Sequence, residues 1–346
     1  MRLPHHKQHS LAVSVSNHLA HNVQTSNERS APNKRPAKDV EGGIVHRLIL
    51  LVVILALVLT GPAGIAAQDL AATPDTSDSA LAALGYTELL VRVNGDSFEM
   101  PETTVPAGRT LVRLENVGEE SWHGFMLQVP ADVTDEQVVA DLGPEAEAPP
   151  PWMFEAIYPG FPGETLPGQT SLALVDLIPG RYIVLSDTVQ QFEVVGDAAT
   201  PSATLEAEDS IVDGTVRLFE FNFQFPDMLA AGRQLWAVTN AGREPHELLL
   251  ARAPQPVTTE QVMELLAGES EDATPTGGGP SFADFEPVGG LGWLSPGLTA
   301  WTEIDLTPGT YVALCFVYDP ETGLPHVAMG MVAVFTVGQV AATPVS

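Results

Sequence analysis

An internal repeat constrains this chain more than any other feature of its sequence. Residues Gly160–Tyr182 align without gaps on Gly289–Tyr311, and ten of the 23 aligned positions are identical. The identical positions include the turn Pro179-Gly180, which matches Pro308-Gly309. A repeat of this length predicts two units of one fold in succession, and 346 residues are enough for two domains of ordinary size.

Three further features recur in the same order in both units. They are an Asn-containing turn at the end of a strand, a histidine, and a Thr-x-x-Gln capping box ahead of apolar residues. The first unit has them at Asn116, His123 and Thr134-Gln137, and the second at Asn240, His246 and Thr258-Gln261. The capping boxes predict one short helix in each unit.

The rest of each unit has the pattern of short strands. Four phenylalanines, Phe219 to Phe225, alternate with polar residues, which predicts a half-buried strand. With 30 Gly and 29 Pro, turns are frequent. The sequence therefore predicts an all-β fold of two tandem β-sandwiches, each with one short inserted helix. Further predicted strands are Leu111–Asn116, Leu235–Asn240, Leu248–Ala251, Thr302–Leu306, Tyr311–Cys315 and Val332–Val337.

Composition sets the domain boundaries. We expect residues 1–43 to be a disordered extension, residues 84–196 to be the first sandwich and residues 212–338 to be the second. Gln68–Ala83 and Gly196–Asp213 are rich in small, polar and acidic residues and are interpreted as linkers, and Gly268–Ser281 as a long loop inside the second unit.

Residues 44–67 carry the signature of export. An uninterrupted apolar run from Leu48 to Leu59 follows His46 and Arg47, and small residues follow it. This layout is typical of a secretory signal peptide. A retained membrane anchor is the alternative, because residues 48–67 carry no charge over a length that spans a bilayer. Both interpretations place the rest of the chain outside the cytoplasm, in the periplasm or beyond the cell.

The charge is strongly negative and unevenly placed. The formal net charge is -29, and seven of the 15 basic residues but only three of the 44 acids precede residue 48. The remaining surface repels nucleic acid and anionic lipid, so a membrane contact is expected only through the N-terminal segment. A cationic protein is the partner that this charge favours.

The second unit contains four residues, of three types, whose donor atoms suit copper. They are His246, Cys315, His326 and a methionine, for which Met331 and Met329 are candidates. Two imidazoles, a thiolate and a weak thioether are the donors of a blue-copper electron-transfer site.

These segments resemble the plastocyanin-like cupredoxins. The turn Thr239–His246 resembles their first-histidine turn, and Pro325–Val332 resembles their second-histidine and methionine segment. The resemblance covers about residues 212–338 and implies a Greek-key β-sandwich with one type 1 copper ion. Matched residue by residue, it implies the ligands His246, Cys315, His326 and Met331. The first unit shares the resemblance mainly through the internal repeat, as a degenerate copy.

One departure affects this implied site. Ten residues, Phe316 to Pro325, separate Cys315 from His326, whereas the family has only a few. Extra loop length costs only modest closure entropy, but it weakens the coupling between the two ligands. A buried cysteine at a strand end and a histidine on a surface turn are the alternative interpretation.

The first unit has Ser186 where Cys315 stands in the second, and it lacks the loop with the second histidine. We therefore expect His123 to form hydrogen bonds within its own sandwich rather than to bind metal. Only three histidines lie beyond the N-terminal segment, too few for the extra copper of a nitrite reductase or multicopper oxidase, so an enzyme is not expected. Two functions stay open: an exported copper electron carrier, and a metal-free binding or structural module at the cell surface.

Overall fold

The computed structural model describes residues 79–95, 97–143, 149–186, 188–197, 212–268 and 281–338. The predicted extension (1–43) and the signal or anchor segment (44–67) lie outside these residues, as does nearly all of the loop Gly268–Ser281. No helix among the described residues is long and apolar enough to cross a bilayer.

The described residues form sixteen strands and three α-helices, joined by turns and loops. The strands of the first half are β1 Thr87–Asn94, β2 Ser97–Glu99, β3 Thr104–Pro106, β4 Gly108–Asn116, β5 Phe125–Gln128, β6 Thr170–Leu177, β7 Gly180–Leu185 and β8 Val189–Val195. Those of the second half are β9 Gly214–Phe219, β10 Asn222–Gln224, β11 Gly232–Asn240, β12 His246–Arg252, β13 Glu286–Leu294, β14 Thr299–Leu306, β15 Gly309–Leu314 and β16 Val332–Val337. The α-helices are α1 Ala80–Ala83, α2 Asp135–Asp141 and α3 Thr259–Gly268, and short 3₁₀ turns span Pro151–Glu155, Phe282–Asp284 and His326–Met329.

Each half is a two-layered β-sandwich. In the first half the strands β6-β4-β1-β2 face the four-stranded sheet β3-β8-β7-β5, and in the second half β10-β9-β11-β14 face β13-β12-β15-β16. The buried apolar side chains of the strands fill the space between the layers, from Leu89 and Val112 in the first half to Trp236 and Leu250 in the second. The predicted all-β sandwich fold is therefore confirmed.

The recurring sequence features make equivalent contacts in the two halves. Both capping boxes form, with Thr134 bonded to Gln137 and Thr258 to Gln261 through side chain and backbone. Near the end of each repeat a tyrosine hydroxyl donates to a carbonyl four residues earlier, Tyr182 to Ile178 and Tyr311 to Thr307. These local bonds give the corresponding turns of the two halves the same backbone conformation.

The two halves also join along one sheet. Strands β6 and β14 pair antiparallel, and Ala173 lies opposite Thr302, its own counterpart in the repeat alignment. As a result the inner layers form one continuous eight-stranded sheet.

A second contact crosses the junction between the halves with the same symmetry. The amide of Gly292 donates to the carbonyl of Phe161 at 2.8 Å, and that of Gly163 to the carbonyl of Gly290 at 3.3 Å. A Cβ atom on Gly163 would lie 2.7 Å from the backbone nitrogen of Gly290, so this approach requires glycine. The two halves therefore pack backbone against backbone.

Two sequence predictions are corrected here. The segment Phe219–Phe225 is not one strand, because Glu220 and Phe221 form a two-residue hairpin turn between β9 and β10. Such a turn needs positive φ, and Phe221 adopts φ 60° without the glycine or asparagine that usually signals it. The end of the predicted linker Gln68–Ala83 is helix α1 and not a solvated spacer. Leu81 in this helix is fully buried, and the backbone amide of Leu81 donates to the carboxylate of Glu303.

Candidate metal centre

A clamped turn presents the first histidine. Asn240 ends β11, and its side-chain amide donates to the carbonyls of Glu244 and Leu294, each at 2.7 Å. Its side-chain oxygen accepts from the amide of Gly242 at 2.9 Å. An asparagine that bonds its own turn in this way fixes the backbone locally. His246 therefore enters β12 in a defined position, with its side chain fully buried.

The thiol lies at the end of β15, next to the first histidine. Cys315 is fully buried, and the amide of Glu247, the residue after His246, approaches its Sγ at 3.5 Å. An N–H directed at sulfur stabilises negative charge there, which suits a thiolate better than a thiol.

The ten residues between Cys315 and His326 fold back on themselves. The amide of His326 donates to the carbonyl of Val317 at 2.8 Å, and that of Val327 to the carbonyl of Cys315 at 2.7 Å. An antiparallel bridge between Tyr318 and Pro325 extends this ladder. The insertion is therefore a small hairpin whose base returns the second histidine to the strand that carries the thiol.

Asp319 closes the tip of this hairpin. Its Oδ1 accepts from the amides of Glu321 and Thr322, at 3.0 and 2.5 Å, and from the hydroxyl of Thr322 at 2.7 Å. These bonds lower the pKa of Asp319. The extra length of the loop between Cys315 and His326 therefore does not separate these two residues.

Three donor atoms from three chain segments converge in the core. The Nδ1 atoms of His246 and His326 are 3.1 Å apart, and Cys315 Sγ lies 4.0 Å from the first and 3.5 Å from the second. A point equidistant from three atoms so placed lies about 2.1 Å from each, which matches the bond lengths of zinc sites, about 2.0–2.1 Å to nitrogen and 2.3 Å to sulfur. The three predicted residues thus surround a common point, with their side chains buried.

The two methionines differ in their surroundings. Met331 is fully buried in the same apolar cluster as Cys315, and its amide donates to the carbonyl of His326 at 2.9 Å. The Sδ of Met329 instead accepts from the hydroxyl of Thr322 at 3.7 Å on the loop. Of the two, Met331 is the more buried, and it is the one that the resemblance implies.

Carboxylates face the outer nitrogens of both histidines. His326 Nε2 lies 2.9 Å from Glu244 Oε2, and His246 Nε2 lies 3.8 Å from Glu220 Oε1. The first distance is a hydrogen bond, which places the proton of His326 on Nε2 and leaves Nδ1 free to bind a metal. Sequence reasoning missed these acids, although Glu244 stands only two residues before His246.

The electrostatics of the site follow from its burial. Burial lowers the pKa of His246 to about 4, helped by the charge of His326, and burial also lowers the pKa of His326. Burial and then the carboxylate of Glu247 raise the pKa of the Cys315 thiol well above its usual value. At neutral pH the metal-free site therefore holds two neutral imidazoles and one protonated thiol.

The equivalent place in the first half has a different arrangement. Ser186, the counterpart of Cys315, lies just past the end of β7 and donates its amide to the carbonyl of Thr188, and β8 begins at the next residue. His123 is not bonded within its own sandwich as predicted: its Nδ1 is buried without a hydrogen-bond partner, and its Nε2 faces Glu247 of the second half.

Comparison with known proteins adds structural likenesses only. No protein-family model and no curated protein matches the chain. A dithionite-reduced auracyanin from the photosynthetic bacterium Roseiflexus castenholzii is similar at 20% identity over 36% of this chain and 94% of the auracyanin, with a TM-score of 0.23. An auracyanin B structure is similar at 19% identity over 36% and 86%, also with a TM-score of 0.23. A copper-containing nitrite reductase from Thermus scotoductus is similar at 11% identity over 74% and 62%, with a TM-score of 0.20.

The β-sandwich and the donor set together are cupredoxin-like. Two imidazoles, one thiol and a thioether in a buried site suit copper, since this soft, mixed set is that of blue-copper centres. The second half therefore fits one copper ion of type 1.

Proposed function

We propose that this chain is an exported electron carrier with one type 1 copper ion in its second half, held by His246, Cys315, His326 and Met331. The convergence of three buried donor atoms within 3.1 to 4.0 Å of one another carries this proposal. If both imidazoles carry their proton on Nε2, toward the carboxylates of Glu244 and Glu220, two Nδ1 lone pairs face each other at 3.1 Å without a proton between them. A metal that takes a lone pair from each of them removes this conflict.

The chain holds these donors rigidly. When bound, copper supplies a one-electron couple between Cu(I) and Cu(II). The Asn240 turn fixes His246, the β15 end fixes Cys315 and the hairpin base fixes His326, so the ligand geometry changes little between the two charges. The apolar cluster around Cys315 and Met331 excludes water from the centre.

The edge of His326 links the centre with the surface. The ring of Phe221 lies 5.3 Å from the ring of His326, edge to face, and Glu244 covers its Nε2. Both covering residues are half-buried, so this edge is the exit that we propose for the electron.

A cationic redox protein is the partner that we propose. Like charges surround the proposed exit: after burial, the charges of Asp319, Glu220 and Glu321 raise the pKa of Glu244, and that of Arg243 opposes them. Only eight of the 15 basic residues lie beyond residue 47, against 41 of the 44 acids. Such a surface steers a positively charged partner to the site and speeds its association at low salt.

Export rests on residues 44–67, which supply the signal or anchor. The chain would act outside the cytoplasm, in the periplasm or beyond the cell, either released or tethered. Sequencing the N-terminus of the mature protein tests this directly. A mature chain that begins near residue 68 is a released one.

An electron carrier is favoured over a copper enzyme. Of the three histidines beyond residue 47, two belong to the proposed centre and the third, His123, faces a glutamate. No second pair of imidazoles is left for a copper ion that binds substrate.

Copper loading with a visible spectrum tests the function. We expect one copper ion per chain and an intense thiolate-to-copper absorption band; Cys315→Ser should lose the band and bind copper more weakly. Met329→Leu, a nearby change outside the proposed ligand set, should retain both. A wild-type protein without the band would refute the electron carrier and favour the metal-free binding or structural module.

A further inference from the structure

The junction between the two halves contains a histidine from one and a carboxylate from the other. His123 follows β4 in the first half, and its Nε2 lies 3.7 Å from Glu247 Oε2 in the second half. The side chain of Glu247 is 1% exposed and that of His123 is 20% exposed. The two side chains therefore meet across the interface in a largely dry environment.

Each of the two side chains has a buried polar atom without a hydrogen-bond partner. Among the described residues, Glu247 Oε2 and His123 Nδ1 are buried without a hydrogen bond. A buried carboxylate oxygen without a donor is costly, so a neighbouring imidazole N–H is of direct use to it. The indole of Trp293, in the second half, is the other donor toward the Glu247 carboxylate, and His123 is the group that the first half supplies.

Glu247 is in turn tied to the thiol. Its backbone amide approaches Cys315 Sγ at 3.5 Å, and its Oε1 accepts from the amide of Phe316 at 2.6 Å. One residue thus contacts the sulfur and the backbone that follows it. Any shift of Glu247 changes the N–H that faces the sulfur, and hydrogen bonding at this sulfur tunes the reduction potential of blue-copper sites.

We propose that His123 is a positioning residue of the copper centre, supplied by the first half, which orients Glu247 and through it the thiolate of Cys315. The inference rests on the proposed function of the second half. It gives the first half a role beyond that of a spacer, although that half has lost the thiol.

The test is a double-mutant cycle on the full exported chain, loaded with copper. The variants are His123→Ala, Glu247→Gln and the double variant, and the readout is the reduction potential. We expect His123→Ala to change the ratio of Cu(I) to Cu(II) at a fixed potential about tenfold, a shift of about 59 mV. In the Glu247→Gln background the same change should fall below about twofold, since the carboxylate that His123 orients is absent.

Thr302→Val is the matched control. The Thr302 hydroxyl also makes a polar contact across the interface, to the carbonyl of Leu172 at 3.1 Å, away from Glu247. This variant should leave the potential unchanged. An equal shift from His123→Ala in both backgrounds, or an equal shift from Thr302→Val, would overturn the proposal.

A copper-free measurement separates this proposal from the function on which it rests. Urea unfolding of the same four proteins without metal should show non-additive effects of His123→Ala and Glu247→Gln. If wild-type protein takes up no copper, the proposed function fails. If it takes up copper but both cycles are additive, the pairing of His123 with Glu247 fails alone.

Discussion

The backbone amide of His326 donates to the carbonyl of Val317 at 2.8 Å, and this bond sets the position of the second imidazole. It is the base of the hairpin that fills the ten-residue gap after Cys315. Because the hairpin closes on itself, its length does not pull the histidine away from the thiol. The loop that distinguishes this chain from plastocyanin-like proteins is thus compatible with a metal centre.

Asp319→Ala is expected to lower copper affinity about tenfold, or about 1.4 kcal/mol. The variant leaves three donors of the hairpin tip without their acceptor, so the loop gains freedom that copper binding must remove. Competition with a chelator of known affinity measures the loss. Asp319→Asn keeps the acceptor oxygen and should bind nearly as wild type; equal losses in both variants would show that the turn bonds are not the cause.

The sequence was sufficient to predict the fold and the three residues that converge, His246, Cys315 and His326, since both predictions depend on local patterns. The amino-acid sequence alone shows the repeat, the capping boxes and the order of His246, Cys315 and His326. The return of the loop was not predictable, because it depends on backbone bonds such as that from Val327 to Cys315.

The meeting of His123 with Glu247 was also not predictable, for a different reason. The two residues belong to different halves, and their approach depends on how β6 and β14 pair. No periodicity within either half carries that information. The hairpin turn at Phe221 escaped prediction because the alternation of phenylalanines continues through it.

Met331→Leu is expected to raise the reduction potential and to change the visible spectrum while the protein still binds copper. Removing an electron-pair donor disfavours the more highly charged Cu(II) state, and the axial ligand is a known control of potential in such sites. Electrochemistry on the loaded protein measures the change. Met329→Leu should leave both properties as they are, because its thioether accepts a bond from Thr322 instead. A shift in Met329→Leu alone would assign the axial position to Met329.

Glu244→Gln is expected to lower copper affinity about tenfold or more, as is typical when a carboxylate behind a metal-binding histidine is lost. Glu244 Oε2 lies 2.9 Å from His326 Nε2, and its charge makes the opposite nitrogen a stronger donor. Glu321→Gln removes a nearby acid that has no bond to either histidine and serves as the control. If both variants bind copper equally weakly, the general negative charge is responsible rather than this bond.

Copper affinity should rise with pH, about tenfold per unit between about pH 7 and pH 8, because one proton leaves for each ion bound. Burial and then Glu247 raise the pKa of the Cys315 thiol, so the thiol is protonated in the metal-free protein over this whole range. Burial lowers the pKa of His246 to about 4 and that of His326 below its usual value, so both imidazoles are neutral over this range and have no proton to release. A site that must lose a proton when it binds copper therefore has a higher copper affinity at higher pH.

Titrations with Cu(I) against a chelator at a series of pH values measure this slope without oxidising the thiol. Cys315→Ser should bind more weakly and with a nearly flat dependence, since its hydroxyl stays protonated. A wild-type slope near two protons per ion would mean that an imidazole is also protonated before binding. A flat wild-type curve would mean that the thiol is already ionised or does not bind the metal.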